Sequence, residues 1–242
     1  MPRQPNKSLI DGLKILQYVM SFPDGIGVGV VAKELGINTI KVHRLLRTLA
    51  AGGYLRQIKG RKYAPGTAVS VLAAQAMQST GFTKTVYPLL NDLHKQTNML
   101  LAYGLLWNRQ VAYLYHAKPE VQGGMGLAGH TVVEATESRL GLVMLAGLSR
   151  GDLESRCSGM DLSGFESFEA FSAYLREIEK QGYIYAPTDT EGNHTVAIRF
   201  QKDPGISLGI AGKIRKPSVM KWVNKLREIE GQIENRNALT AK

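Results

Sequence analysis

The sequence predicts an α+β chain in two parts. A winged helix-turn-helix domain spans residues 1–66, and an α/β domain with a mainly antiparallel sheet spans 82–242, joined by a linker helix over 67–81. Three observations carry this prediction. Positive charge is concentrated at the N-terminal end. Two short helical patterns separated by a glycine turn precede a basic hairpin pattern. Beyond residue 82, helical and strand periodicities alternate.

The charge is unevenly spread. The chain has 242 residues, with 30 Lys and Arg against 20 Asp and Glu. Residues 1–66 hold 11 of these cations and three of the anions, and the remainder holds 19 and 17. A basic end on a near-neutral body suggests a polyanion-binding module joined to something else. A solubility tail would not be so apolar or so periodic. The 44% apolar content is enough for real cores and argues against disorder. No apolar run approaches the roughly 20 residues of a membrane span, and MPRQPNKSLI lacks the apolar core of a secretory signal. A single cysteine, Cys157, excludes an internal disulfide framework and a multi-cysteine metal site. A reducing cytoplasm is the simplest compartment.

Along the chain, Ser8 is the expected N-cap of a helix over LIDGLKILQYVM, with Leu9, Leu13, Leu16 and Met20 as its apolar stripe and Ile15 and Val19 flanking. SFPDGIG breaks it. VGVVAKELG reads as a short helix stopped by Gly36. KVHRLLRTLAAGG then has an apolar stripe of Val42, Leu45, Leu46 and Leu49, with Lys41, Arg44, Arg47 and Thr48 largely off it and Asn38 or Thr39 as cap. Two short helices on a tight turn, the second one basic, describe a helix-turn-helix whose second helix enters the major groove. Tyr54–Ile58 and Lys62–Ala64 read as strands around Lys59-Gly60-Arg61, a wing whose cations reach phosphate.

Residues 67–80 read as an uncharged, Ala-rich helix that should bury a face through Val69, Leu72, Ala73 and Ala76. TKTVYPLLNDLHKQTN is amphipathic, with Pro88 tolerated near its start. MLLAYGLLWN and QVAYLYHA form a hairpin pattern around Trp107-Asn108-Arg109, and GMGLAGHTVV is a third candidate strand. ESRLGLVMLAGLS reads as a buried helix, and 163–181 as an amphipathic one carrying Phe168, Phe171, Leu175 and Ile178. Strand patterns YIYAPT, HTVAIRFQ and DPGISLGIAGKI follow. A closing helix then carries Trp222, Val223, Leu226, Ile229 and Ile233.

The run GINTIKVHRLLRTLAAGGYL resembles the recognition region of the IclR family of bacterial transcription regulators, whose pattern is like G-L-x-K-S-T-V-H-R-L-L-x-T-L-x-x-x-G-Y-L. Gly36, Val42, His43, Arg44, Leu45, Leu46, Thr48, Leu49, Gly53, Tyr54 and Leu55 fit it. Lys62-Tyr63-Ala64-Pro65-Gly66 resembles the Y-x-L-G that ends the family's wing. Ile40-Lys41 replaces the family's Ser-Thr pair, a departure that bears on the operator sequence rather than on the fold. The resemblance is specific in the first 66 residues and looser beyond. The candidate DNA-facing set is Asn38, Thr39, Lys41, His43, Arg44, Arg47, Lys59, Arg61 and Lys62, with His43 open to a packing role.

The resemblance implies that the helix over 67–80 lies near dimer contacts, and that the second domain holds a small organic effector. Gly141, Leu145, Ala146 and Gly182-Tyr183 match the family there, whereas Glu134-Ala135-Thr136 replaces a Pro-Leu-His triplet. It implies a pocket set of Arg139, Leu140, Gly141, Asp189, Thr195, Gly209 and Ala211. Gly209 and Ala211 stand where serines are common, so this pocket should be less polar than its relatives'. Arg139 could pair with a ligand carboxylate or form a salt bridge with Glu134 or Glu137. The implied partners are double-stranded operator DNA and a small metabolite, a carboxylate if Arg139 binds it. The implied assembly is a homodimer or a dimer of dimers, with no membrane and no cofactor.

An enzyme has little support in the residues. His43, His94, His116, His130 and His194 show no compact metal spacing. His130 and His194 could meet in space at a metal, although a lone His more often satisfies a local hydrogen bond. Cys157 has no adjacent base, and Walker A and a strand-following GxGxxG are absent from the sequence. Two other readings stay open: a constitutive DNA-binding protein, and a small-molecule-binding enzyme whose N-terminal domain is an interaction module.

Overall fold

The computed structural model describes residues 4–119, 132–162 and 164–240. The chain divides into two compact units, Met1–Thr80 and Gly81–Lys242.

The first unit contains α1 (Lys7–Met20), α2 (Val28–Leu35), α3 (Thr39–Ala51), the hairpin β1 (Leu55–Ile58) and β2 (Lys62–Pro65), and α4 (Thr67–Ser79). Its core is Ile15, Val19, Ile26, Val31, Val42, Leu46, Leu55 and Tyr63. The turn between α2 and α3 depends on Gly36, whose φ of 62° lies in the left-handed region that costs other residues strain. Asn38 Oδ1 then accepts from the amides of Ile40 and Lys41 at 3.0 and 3.4 Å and starts α3. Ile26 forms a bridge to Tyr63 beside the hairpin, with N···O distances of 2.9 Å both ways.

Two expectations for α1 are corrected. The cap is Asn6, not Ser8: Asn6 Oδ1 accepts from the amides of Ser8 and Leu9. The inward stripe is Asp11, Gly12, Ile15 and Val19. Leu9 and Leu13 are 62% and 56% exposed. Periodicity marks an apolar stripe without saying whether it faces its own core. Likewise α4 buries none of its residues within the chain, and Val71 and Leu72 are exposed.

The second unit is a six-stranded sheet in the order β5-β4-β3-β8-β7-β6, every neighbouring pair antiparallel. Its strands are β3 (Leu100–Trp107), β4 (Gln110–Ala117), β5 (Val132–Glu134), β6 (Ile184–Pro187), β7 (His194–Arg199) and β8 (Ile206–Gly212). Of the third candidate strand, only the end falls on β5; residues 124–131 lie outside the described residues. A π turn, Phe82–Val86, leads into α5 (Tyr87–Thr97). The other helices are α6 (Arg139–Leu145), α7 (Arg150–Cys157), α8 (Phe168–Gln181) and α9 (Val219–Thr240). α8 begins at its cap Ser167, whose hydroxyl accepts from the Ala170 amide, and not at 163.

Strand alternation divides the core into two layers. On one face, Ala102, Val111 and Ala197 pack with Leu140–Leu145 of α6 and with Leu153, Phe171, Leu175 and Ile178. On the other, the ring of Tyr103 meets Phe82 and Phe200 at 6.0 and 5.9 Å, and Tyr115 meets Tyr87 of α5. Gly141 has no room for a side chain: a Cβ there would lie 2.1 Å from the Ala135 carbonyl oxygen. That approach seats α6 against the loop after β5. Among the described residues, no helix is long and apolar enough to cross a membrane.

Candidate nucleic-acid interface and effector cavity

The first unit turns a basic surface outward. His43, Arg44 and Arg47 are exposed on α3, and Lys59, Arg61 and Lys62 are exposed on the hairpin and its tip. The tip is a tight turn with Gly60 and Arg61 both at positive φ. An open cleft between α3 and the hairpin is lined by His43, Arg47, Gln57, Ile58, Arg61 and Tyr63. His43 thus belongs to the outer surface rather than to the core. Residues 35–66 contain no Asp or Glu, so nothing acidic in that segment offsets these cations.

Three members of the sequence-derived set sit differently. Asn38 uses its carbonyl to cap α3. Thr39 is the exposed first residue of that helix. Lys41 is half-buried, and its ammonium lies 2.5 Å from Asp11 of α1. The hydrogen bond from Lys41 holds the Asp11 carboxyl below its ordinary value, against the opposing effect of burial. Lys41 therefore pins α3 to α1, while Arg44 and Arg47 remain turned to solvent.

In the second unit, a cavity of about 210 Å³ opens beside the start of α6. Four of the seven expected pocket residues line it: Arg139, Leu140, Thr195 and Gly209. Gly141, Asp189 and Ala211 are placed elsewhere. Gly141 packs on Ala135. Asp189 closes its own turn, accepting from the amides of Glu191 and Asn193 and from Asn193 Nδ2. Ala211 is buried in β8, opposite Leu100 and Thr195.

The cavity also contains Tyr113, His116, Ser138 and Thr188, which the sequence reading missed. Tyr113 and His116 are three apart on β4, so simple alternation would place them on opposite faces. The register shows why it does not: Gly104 pairs with Tyr113 and Tyr103 with Tyr115, so Leu114 is an extra residue in a bulge. A bulge re-aims the strand by one position. Tyr113 and His116 consequently share the face of Ala102 and Gly104, their ring centroids 5.4 Å apart. No periodicity rule would have exposed this, because the extra residue is itself apolar.

The polar groups of the cavity are already arranged among themselves. Tyr113 Oη and Ser138 Oγ are 2.7 Å apart, and Thr188 and Thr195 hydroxyls are also 2.7 Å apart. Ser138 Oγ additionally accepts from the Gly141 amide and caps α6. Arg139 donates from Nε and Nη2 to the Pro187 carbonyl at 3.2 and 2.9 Å. The expected ion pair with Glu134 or Glu137 does not form: a carbonyl at the end of β6 takes the guanidinium, and Glu134 accepts from Gln110 Nε2. Burial raises the Tyr113 phenol, although the Ser138 hydrogen bond and the Arg139 charge pull it down. Burial, and then Lys118, lower the His116 imidazole. Both rings are therefore neutral at physiological pH.

The remaining candidates form no second site. His94 Nδ1 is 2.8 Å from the Met99 carbonyl, and His194 stacks on Tyr185. His130 lies outside the described residues, so its pairing with His194 is not described. Among the described residues, no three His, Cys, Asp or Glu could hold a metal. Cys157 is buried, and burial pushes its thiol up despite Arg109 and Arg156.

A winged helix-turn-helix carrying a second, antiparallel-sheet domain defines the class. The comparisons with known proteins bear on the same two parts. Residues 8–59 match the IclR helix-turn-helix domain. A 92-residue stretch is 26% identical to the transcriptional repressor IclR of Escherichia coli, covering 38% of this chain and 34% of that protein. The chain thus matches about a third of the length of that repressor. Over nearly its whole length it is similar to the structure of an IclR family transcriptional regulator from Brucella abortus, with a TM-score of 0.73, 20% identity, and coverage of 97% of this chain and 94% of that one. It is similar also to an IclR homologue from Microbacterium hydrocarbonoxydans complexed with 4-hydroxybenzoate, with a TM-score of 0.67, 14% identity, and coverage of 96% and 99%. Residues 8–59 thus match an IclR helix-turn-helix domain, and the chain as a whole shares the fold of these solved structures.

Proposed function

We propose that the protein is a cytoplasmic DNA-binding transcription regulator, and that a small organic metabolite in the α6 cavity modulates its affinity for an operator. The observation that carries this reading is the outward placement of Arg44, Arg47, Lys59, Arg61 and Lys62 on one helix and its neighbouring hairpin. Arg44 and Arg47 sit on the helix that such a fold inserts in the major groove, and the hairpin cations reach the flanking phosphates. In this reading residues 1–66 bind DNA, 67–81 form a linker helix, and 82–242 bind the effector and oligomerise.

A homodimer, or a dimer of dimers, fits the apolar side chains left outside. Leu9, Ile10 and Leu13 on α1, and Val71 and Leu72 on α4, are exposed, and residues 67–80 carry no charge. Surfaces of this kind mark protein contacts. A two-fold protein then meets a pseudo-palindromic site. The effector favours one arrangement of the DNA-binding domains over another, which is a shift of population between them. The bound 4-hydroxybenzoate of the Microbacterium homologue supports an organic acid, and Arg139 is the cation in the cavity lining that would meet it.

The test is genome-wide recovery of bound DNA, followed by thermal-shift screening of small organic acids, 4-hydroxybenzoate among them. Enrichment of a repeated sequence is expected, together with a ligand that raises stability and changes operator affinity. Arg139→Ala should reduce that response while leaving DNA binding intact. Failure to enrich any duplex would remove the regulator reading. Enrichment without any stabilising ligand would leave a constitutive DNA-binding protein.

A further inference from the structure

We infer that Ile40 reads the C5-methyl group of a thymine in each operator half-site; this rests on the DNA-binding reading above. Ile40 is 81% exposed, more than any other large hydrophobic side chain among the described residues. It is the second residue of α3, one turn before Arg44 on the same helix. Nothing in the fold accounts for an isoleucine there, since its side chain contributes to no core.

The neighbouring groups narrow what it can do. The amides of Ile40 and Lys41 are both taken by Asn38 Oδ1, so neither is a free donor for a base or phosphate. The ammonium of Lys41 is held by Asp11, so the cation adjacent to Ile40 is drawn back to α1. The outward side chains left on the first turns are Thr39, Ile40, His43 and Arg44. Arg44 supplies the charge that draws this face to DNA.

An aliphatic side chain has no donor or acceptor for a base edge. The apolar feature the major groove offers is the thymine methyl. Burying that methyl against Ile40 removes apolar area from water on both partners. The basic flanks of α3 and the hairpin favour a nucleic acid over a protein partner for the same spot. The contact would distinguish thymine from cytosine without a hydrogen bond.

The experiment selects bound sequences from a random duplex pool with the intact protein, then replaces each thymine of the selected site by deoxyuridine, which deletes the methyl alone. Ile40→Ser is measured in parallel. Its side chain is exposed, so the fold should survive, and circular dichroism checks this. At one thymine per half-site the native protein should lose about fourfold in affinity, as for one buried methyl. Ile40→Ser should bind the thymine and deoxyuridine duplexes equally. Sequence-specific binding that ignores every deoxyuridine replacement overturns the thymine contact alone. So does an Ile40→Ser variant with the native sensitivity. Selection of no sequence at all overturns the regulator reading and the contact with it.

Discussion

The two units use their polar residues in opposite ways. In the first, Arg44, Arg47, Lys59, Arg61 and Lys62 stand exposed on α3 and the hairpin, and Lys41 is drawn inward by Asp11. In the second, the hydroxyls and the guanidinium around the cavity are already bound, Tyr113 to Ser138, Thr188 to Thr195 and Arg139 to Pro187. A surface that must meet many phosphates keeps its donors exposed and gains by counterion release. A cavity that must choose one small molecule gains from groups fixed in advance.

The contrast can be broken most severely at Gly141. A methyl group there would collide with the Ala135 carbonyl, so Gly141→Ala should destabilise the second unit by roughly 3 kcal/mol or more. Both tryptophans, Trp107 and Trp222, lie in that unit, so urea unfolding followed by their fluorescence reports it alone. A loss below about 1 kcal/mol would mean that α6 can shift away cheaply. Arg44→Ala should weaken operator binding by about 1–3 kcal/mol and leave the fluorescence midpoint unmoved. Unchanged affinity would take Arg44 out of the interface. Ser138→Ala removes both the cap of α6 and the partner of Tyr113, and should lower the stability read by the same fluorescence by about 1 kcal/mol.

The smallest effects separate the units by pH. Burial disfavours the charged imidazole of His116, so the unfolded chain takes the proton more readily. Its contribution is present above the ordinary value of 6.5 and declines as the pH falls through it. Asp11 behaves differently. The Lys41 hydrogen bond lowers its carboxyl from 3.8, so its contribution is present above that value and is lost as the pH falls through the lower folded one. Acidification should weaken the second unit first and the first unit later. His116→Gln should flatten the earlier decline, seen by tryptophan fluorescence. Asp11→Asn should flatten the later one, seen by helical circular dichroism.

Much of the fold was legible because its signals are local. β4 occupies the eight residues of the strand pattern QVAYLYHA. α6 is a buried helix where an unbroken apolar run stands, and α3 follows its apolar stripe. Long-range choices were not legible. The stripe of α1 was assigned to Leu9 and Leu13, which face outward, because two apolar rows lie side by side on that helix. α7 was overlooked: Leu153 and Cys157 are its only buried residues, too few to show a period. Its capping pattern, Ser149 with Asp152 three residues on, was the available signal. Tyr113 and His116 escaped notice because a bulge, invisible in the pattern, brings them together. Asp189 was drawn into the pocket by an alignment across a loop, whereas its carboxylate serves that loop's own turn.

The central claim, a DNA interface built by α3 and the hairpin, is tested most directly by titrating duplex binding with salt. With Arg44, Arg47, Lys59, Arg61 and Lys62, all exposed, as the cations that meet phosphate, the limit of the slope of log affinity against log salt is about −4 to −5 per winged domain. Tight binding at low salt is expected, with a steep slope approaching that limit and made shallower by about one for Lys62→Ala. Absence of binding at low salt, or binding indifferent to salt, would contradict it.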